Sequence, residues 1–152
     1  MNLNKSLKFL LVVIFVALFP LISNVSAKGP KVDIQYVTYC DFDGDGAKDD
    51  VYAEVFLTML PGVNFLVFQA SVKFNGAILY TIYRDNHIRT ETEILYTFYF
   101  INIVFQSGIY IFKVWFDIEN NGQIRHVSDT QPFDPPEGDP NYPPGGGVTP
   151  GP

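Results

Sequence analysis

Short runs of β-branched and aromatic residues, separated by turn dipeptides, fill the sequence between Val32 and Thr130 and restrict the fold more than any other feature. Such residues favour the pleated, half-buried surface of a sheet, and Asn75-Gly76 is the kind of dipeptide that closes a two-residue hairpin. No window in this region sustains the 3.6-residue apolar spacing of a capped helix. The pattern predicts strands at 32–39, 51–60, 63–74, 77–84, 94–105, 109–118 and 123–130.

Seven strands in about 100 residues predict an all-β fold, an antiparallel β-sandwich. The segment 106–112 resembles the tyrosine corner of immunoglobulin-like and fibronectin-like sandwiches, with Tyr110 in the tyrosine place and Phe112 where antibody domains have their second cysteine. The resemblance implies that the Tyr110 hydroxyl bonds back to the backbone and fixes the crossover between the sheets. A jelly roll or a small barrel is the alternative topology.

The predicted strand at 94–105 is apolar on both sides, although a two-sheet sandwich needs only one buried face per strand. The two sets are Ile94, Tyr96, Phe98 and Phe100 on one side and Leu95, Tyr99, Ile101, Ile103 and Phe105 on the other. Either a loop or the tail covers this strand, or it presents an apolar face to a partner. An unpaired edge beside that face would favour strand addition between subunits.

Acidic residues dominate the charge and are concentrated in one loop. The chain has 10 Lys and Arg against 16 Asp and Glu, a formal net charge of −6. This balance lacks the basic footprint of a nucleic-acid or acidic-lipid partner. The segment 41–50 alone holds five acids and one lysine. Carboxylates packed this densely repel one another unless a cation neutralises them.

The spacing of these acids predicts a calcium loop. Calcium takes six to eight oxygen ligands in flexible geometry, and the glycines at 44 and 46 permit the tight curl that turns alternate acids inward. Phe42 is expected to face away and anchor the loop on the core. The predicted ligands are four carboxylates and one main-chain carbonyl: Asp41, Asp43, Asp45, Asp49 and Ala47.

The string resembles the D-x-D-x-D-G-x-x-D calcium loops of extracellular repeat proteins, in particular the integrin-type FG-GAP repeats, in which such a loop precedes a strand. Here the predicted strand from Val51 follows. The string departs from the EF-hand because its twelfth position is Tyr52, which cannot give bidentate carboxylate ligation. A solvated acidic hairpin without an ion is the alternative.

The first 27 residues predict a signal peptide. Lys5 and Lys8 precede an apolar run of 14 residues at 9–22, and Val25-Ser26-Ala27 fits a small-residue cleavage site. An uncleaved N-terminal anchor is the alternative. No later apolar stretch has membrane length, so no membrane span is expected after signal cleavage. This predicts an extracellular protein, secreted or attached to the cell surface, with a sandwich domain at 28–131.

Residues 132–152 contain 8 Pro and 5 Gly. Such a segment buries too little apolar surface to offset its ordering entropy, which predicts a disordered or polyproline-like tail.

Catalytic constellations are missing from the sequence, so no enzyme is expected. None of the serines after residue 27 lies in a G-x-S-x-G elbow, and His87 and His126 form no H-E-x-x-H motif. Glu91 and Glu93 share a strand face, as the two carboxylates of a glycosidase would, but the neighbouring Thr90 and Thr92 favour a solvent-facing edge. The one cysteine, Cys40, excludes an intrachain disulfide.

These features predict a secreted or cell-surface structural or interaction module that calcium stabilises. It would self-associate as a homo-oligomer or dock a protein partner through an apolar β face. The alternative is a calcium-dependent carbohydrate-binding or other ligand-binding accessory module, in which the abundant aromatic residues, 9 Tyr, 14 Phe and 1 Trp, stack on a polysaccharide.

Overall fold

The computed structural model describes residues 29–135 and 145–151, and within these ranges the chain is all-β. Two four-stranded antiparallel sheets pack as a β-sandwich, which confirms the predicted fold class. The strands are β1 Lys31–Cys40, β2 Asp50–Thr58, β3 Asn64–Phe74, β4 Ala77–Arg89, β5 Glu93–Ile101, β6 Tyr110–Asn120, β7 Gln123–Phe133 and β8 Gly145–Pro150. Sheet A has the order β1-β2-β5-β8, and sheet B has the order β4-β3-β6-β7.

Two sequence predictions fall partly or wholly outside this range. The predicted signal peptide at 1–27 lies outside the described residues, as do residues 136–144 and 152 of the predicted tail. Among the described residues, no helix is long and apolar enough to cross a membrane.

Aromatic side chains on the facing sides of the two sheets form the centre of the core. Phe68 of β3 lies with its ring centroid 5.4 Å from that of Tyr96 and 6.0 Å from that of Phe98, both on β5 of the opposite sheet. Phe116 of β6 completes the cluster, 5.1 Å from Phe68. Because alternate residues of a strand point to one face, this packing fixes which faces of β3, β5 and β6 point into the core.

The seven strands predicted from the sequence are all present, and their turns have the expected chemistry. Asn75 and Gly76 close the β3–β4 hairpin with φ angles of 49° and 82°, and Asn121 and Gly122 close the β6–β7 hairpin with φ angles of 52° and 74°. Positive φ at both central residues matches the right-handed twist of the strands.

Strand β5 ends earlier than predicted, at Ile101 rather than at residue 105. Asn102 has a φ of 56° and turns the backbone out of the sheet. The N–H groups of Ile103 and Val104 then donate to the main-chain carbonyl of Asp49, both at 2.8 Å. The two side chains remain buried, so the chain leaves the ladder without leaving the core.

The prediction of a disordered tail at 132–152 is wrong at two places. Residues 132 and 133 are the end of β7, beyond the domain boundary predicted at 131, and residues 145–150 form β8 along the edge of β5. The expectation of disorder rests on the small apolar surface that a segment rich in Pro and Gly can bury. Residues 145–147 are glycines, and their backbone forms ladder hydrogen bonds without needing room for side chains. The ladder also covers the edge of β5. One outer side chain of β5, Tyr99, lies so close to Gly147 that a Cβ there would overlap the tyrosine ring.

The two-sided apolar character of β5 is explained by its central position. Its inner side chains, from Ile94 to Phe100, are buried in the core. The outer side chains Leu95, Tyr99 and Ile101 are half-buried on the outer face of sheet A. The sequence left open whether the strand is covered or faces a partner, and within the described residues β8 covers its edge while its outer face stays partly accessible.

Tyr110 forms the hydrogen bonds that the resemblance to a tyrosine corner implied. Its side chain is fully buried at the start of β6. The hydroxyl donates to the Gln106 carbonyl at 3.0 Å and accepts from the Phe105 N–H at 3.2 Å. One side chain therefore satisfies backbone groups of the connection from β5 to β6, which crosses between the sheets.

We expect Tyr110→Phe to lower the free energy of unfolding by about 1–2 kcal/mol, because the hydrogen bonds of the buried Tyr110 hydroxyl to the Gln106 carbonyl and the Phe105 N–H are lost. Urea unfolding followed by fluorescence measures this loss. Tyr83→Phe is the matched control, since Tyr83 is half exposed on β4, and should change stability by less than about 0.5 kcal/mol. Equal effects of the two variants would contradict the assigned role.

Candidate metal centre

The acidic loop, residues 41–49, joins β1 to β2 and is shaped by its own carboxylates. Asp41 accepts hydrogen bonds from the N–H groups of Gly44 at 2.8 Å and Gly46 at 3.1 Å, one on each oxygen. Both glycines have a positive φ, 78° and 94°, which side-chain-bearing residues adopt with strain. The loop therefore curls around Asp41, as the sequence predicts.

Two further acids extend the curl by one step each. Asp43 accepts from the N–H of Asp45 at 3.2 Å, and Asp45 accepts from the N–H of Ala47 at 2.8 Å. These are Asx-type turns, in which a short carboxylate replaces a backbone carbonyl. Each bond also places a partial positive charge beside a carboxylate and so reduces the repulsion within the loop.

Asp50, the first residue of β2, connects the loop to the rest of the sandwich. Its side chain is fully buried. One oxygen accepts from the N–H groups of Phe42 at 2.6 Å and Asp43 at 3.1 Å, and the other accepts from the N–H of Asn102 at 2.8 Å. Asp50 therefore holds both ends of the acidic loop against the residue that follows β5.

Three carboxylates meet at this point. Oxygen atoms of Asp41, Asp43 and Asp50 all lie within 4.8 Å of one another, so the group could hold a metal ion. Two of these residues belong to the predicted ligand set, and Asp50 does not. The sequence analysis placed Asp50 at the end of the acidic segment 41–50, before the strand predicted from Val51, and did not count it as a ligand. Its place directly after Asp49, at the closing end of the loop, is the signal that could have identified it.

The other predicted ligands lie outside this group of three. Asp45 is exposed and Ala47 half-exposed. Asp49 is fully buried, and neither of its carboxylate oxygens has a hydrogen-bond partner among the described residues. Burial, followed by the negative charges of Asp50 and Asp45, raises the pKa of Asp49 to about 6.

Phe42 anchors the loop, but not on the core as the sequence predicts. Its ring is half-exposed and stacks on the ring of Tyr99, with the centroids 4.9 Å apart and 12° between the planes. Tyr99 points to the outer face of sheet A, so the loop rests on the outside of the sandwich.

The donor set of the site suits a hard cation. Only carboxylate and carbonyl oxygens are available, which calcium and magnesium prefer, whereas zinc favours sulfur and nitrogen. A carboxylate has about four acceptor positions. Asp41 uses two of them for amides, Asp43 uses one and Asp50 uses three. Each carboxylate therefore keeps capacity for an ion.

Cys40 precedes the loop as the last residue of β1 and is a free, half-buried thiol. Burial and the charges of Asp50 and Asp41 raise its pKa, which keeps the sulfur protonated and a poor metal ligand.

The histidines lie far from this loop in the fold. His126 of β7 pairs with Asp117 of β6 at 2.7 Å and lies against Trp115, with ring centroids 5.8 Å apart. His87 lies in β4, and burial lowers its pKa. Neither belongs to the carboxylate group, and the absence of catalysis stays a prediction.

No protein-family model matches this sequence, and no curated protein matches it.

In chelator, we expect the stability of the protein to fall as the pH rises from about 4 to 6. Asp49 has its pKa raised from 3.8 to about 6 in the folded chain, so the folded state binds the proton more tightly than the unfolded state across this window. Asp49 should account for a loss of about 2–3 kcal/mol in the free energy of unfolding, at ~1.4 kcal/mol per pKa unit.

Urea unfolding at several pH values, for wild type and Asp49→Asn, isolates this contribution. The difference between the two proteins should change across the window and stay constant above it. Asp85→Asn, which removes an exposed acid of β4, should keep the wild-type slope. If the free energy of unfolding depends on pH in the same way for wild type and Asp49→Asn, the assignment of this pH dependence to Asp49 is contradicted.

Proposed function

We propose that this chain is a secreted or cell-surface structural or interaction module, a β-sandwich that calcium stabilises at the acidic loop and that self-associates or docks a protein partner through an apolar β face. The observation that carries the calcium part is the meeting of Asp41, Asp43 and Asp50 at one end of the sandwich. The extracellular setting rests on the signal-peptide pattern of the first 27 residues.

Calcium is the cation that fits this group best. Its coordination is flexible and its shell large, so carboxylates, main-chain carbonyls and water complete it without strict octahedral geometry. Asp45 and the carbonyl of Ala47, on the same loop, are the further ligands that the D-x-D-x-D-G spacing provides. Extracellular modules of this kind bind calcium at about 10⁻⁴–10⁻³ M, which matches the ion's abundance outside cells.

The role of the ion would be structural. Asp50 joins the acidic loop to Asn102, and the carbonyl of Asp49 joins it to Ile103 and Val104. An ion bound to the loop would therefore stiffen two connections at once, one within sheet A and one between the sheets. Stiffening suits a module that has to keep its shape outside the cell.

We expect millimolar calcium to stabilise the protein by about 0.5–1.5 kcal/mol, because an ion that binds only the folded state adds stability by mass action. This corresponds to a rise in melting temperature of roughly 2–8 °C. Scanning calorimetry in calcium and in chelator measures the rise. Asp43→Ala should abolish it, and Asp85→Ala, which removes an exposed acid of β4, should retain it.

The same scans with magnesium test the choice of ion, since magnesium should give a smaller rise at equal concentration. Identical melting curves of the wild type in calcium and in chelator would overturn the calcium part of the proposal.

The outer face of sheet A supports the docking part. Two cross-strand pairs of large side chains lie there, Tyr52 with Tyr99 and Phe56 with Leu95, one on each side of the polar pair Glu54 with Thr97. All four side chains are half-buried in the single chain, so a partner would bury their remaining surface. Such a face is unusual for a sheet that only meets water.

An immunoglobulin-like topology is the proposed finer class of the fold. Naming β1, β2, β3, β5, β6 and β7 as strands A, B, C, E, F and G places A-B-E in one sheet and C-F-G in the other, with β4 beside C. The buried Tyr110 at the start of the F strand supports the assignment. In this naming β8 takes the place beside E that strand D has in antibody constant domains.

One observation favours the alternative, a carbohydrate-binding module. Trp115, Tyr83 and Gln69 lie in one cross-strand row on the outer face of sheet B. Tyr83 is 52% exposed and Trp115 half-buried, so aromatic rings are available for stacking on a sugar, with an amide between them to bond its hydroxyl groups.

Size-exclusion chromatography and affinity electrophoresis in polysaccharide gels separate the two functions. For the first function we expect concentration-dependent oligomers that Phe56→Lys weakens by placing a charge on the face. For the alternative we expect a monomer that a polysaccharide retards, with the retardation lost in Trp115→Ala. Trp115→Ala should leave oligomers unchanged, and Phe56→Lys should leave retardation unchanged. A monomer that no polysaccharide retards contradicts both.

A further inference from the structure

The edge of β5 is a slot that accepts an extended strand. In the folded chain β8 occupies it, in a register that runs from Ile101 opposite Gly145 to Tyr96 opposite Pro150. One further bond extends the ladder, because the N–H of Gly151 donates to the carbonyl of Leu95 at 2.6 Å. The strand is therefore recognised mainly by its backbone, as in β-strand addition between proteins.

The slot also selects the composition of its strand. A Cβ on Gly147 would overlap the ring and hydroxyl of Tyr99, and a Cβ on Gly146 would lie 2.8 Å from the Tyr99 carbonyl oxygen. Backbone cannot give way as a flexible side chain can. The Tyr99 ring is itself stacked on Phe42, so moving it aside would sacrifice that contact. Position 146 is therefore blocked by backbone, and a side chain at position 147 would have to displace the Tyr99 ring, so both positions favour glycine.

The strand in the slot contributes little to the core. Val148 is its one side chain packed against the hydrophobic core, and it is only partly buried. By comparison, β5 contributes four buried apolar side chains. Segments with few buried apolar contacts open at low free-energy cost, so β8 can leave while the rest of the sandwich stays folded.

Departure of β8 creates an edge that must be paired again. The backbone of β5 would then present unpaired N–H and C=O groups beside an apolar face, which is the arrangement that captures strands from other chains. A strand without two adjacent glycines would clash with Tyr99. A second copy of this chain has the same glycine-rich strand, which fits the slot.

We propose that the β5 slot binds the glycine-rich C-terminal strand of a second copy of this chain, so that copies are linked by exchange of β8. Ten Cα steps separate Pro135 from Gly145, and ten steps span at most about 36 Å. The strand competes with the chain's own β8, whose effective concentration is in the millimolar range, so exchange requires high concentration or crowding at a surface.

The inference rests on the self-association part of the proposed function and names its partner and contact. Strand exchange does not require a bound ion, since no slot residue belongs to the carboxylate group.

The first experiment uses full-length Gly147→Val, in which the chain's own strand cannot enter the slot. A fluorescent peptide of residues 144–151 should bind this protein at least about tenfold more tightly than the same peptide with Gly147→Val, by anisotropy. Adding Tyr99→Ala to the protein removes the clash, so its own strand should re-enter and peptide binding should fall by about tenfold. Equal binding of both peptides, or binding of neither, would overturn the slot.

The second experiment uses wild-type chains only, so it does not depend on the folding of a variant. Isotopically heavy and light chains are mixed and native mass spectrometry follows mixed dimers. Their fraction should rise with concentration and fall by about tenfold when excess peptide 144–151 occupies the slots, in calcium and in chelator alike.

Two outcomes distinguish this inference from the proposed function. Mixed dimers that the peptide does not displace would overturn strand exchange and leave self-association through the outer face of sheet A. The absence of mixed dimers at all concentrations would overturn both strand exchange and self-association. If dimers form equally in chelator and calcium leaves the melting temperature unchanged, only the calcium part of the proposed function is overturned.

Discussion

The buried carboxylate of Asp50 determines the arrangement of one end of the sandwich. It accepts three backbone hydrogen bonds, two from the acidic loop and one from Asn102. A buried charge of this kind is stable only because amides surround it. With the acidic loop fixed in this way, Asp41 and Asp43 are brought to Asp50, and the candidate metal centre follows from that geometry.

The acidic loop and the C-terminal strand are connected through two aromatic rings. Phe42 of the loop stacks on Tyr99, and Tyr99 lies over Gly147 of β8. The Tyr99 ring, which favours glycine in the strand slot, is thus supported by Phe42, and the backbone N–H of Phe42 donates to Asp50. Two features far apart in the sequence, a calcium-loop motif and a glycine-rich end, therefore share one structural support.

The sequence identifies the strands and the core well, because alternation and turn dipeptides follow directly from pleat geometry and positive φ. It also identifies the contact of Tyr110. It does not identify β8, since glycines carry no pattern of alternation and their fit depends on Tyr99 across the ladder. Asp50 is missed for a related reason. Its role depends on Asn102, which lies more than fifty residues later and is brought near only by the β2–β5 pairing.

The hydrogen bonds from backbone N–H groups to the carboxylates of the acidic loop also determine how much stability a bound ion would add. Asp41, Asp43 and Asp50 already accept backbone N–H groups, so the three carboxylates of the candidate site are in place before any ion arrives. A preorganised site loses little conformational entropy on binding. The buried Asp49 side chain has no hydrogen-bond partner among the described residues. Its negative charge is therefore not compensated by backbone N–H groups, unlike the charges of the other acids of this segment. A cation in the loop would act on this remaining repulsion, which makes its effect one of added stability in a loop that already has its shape.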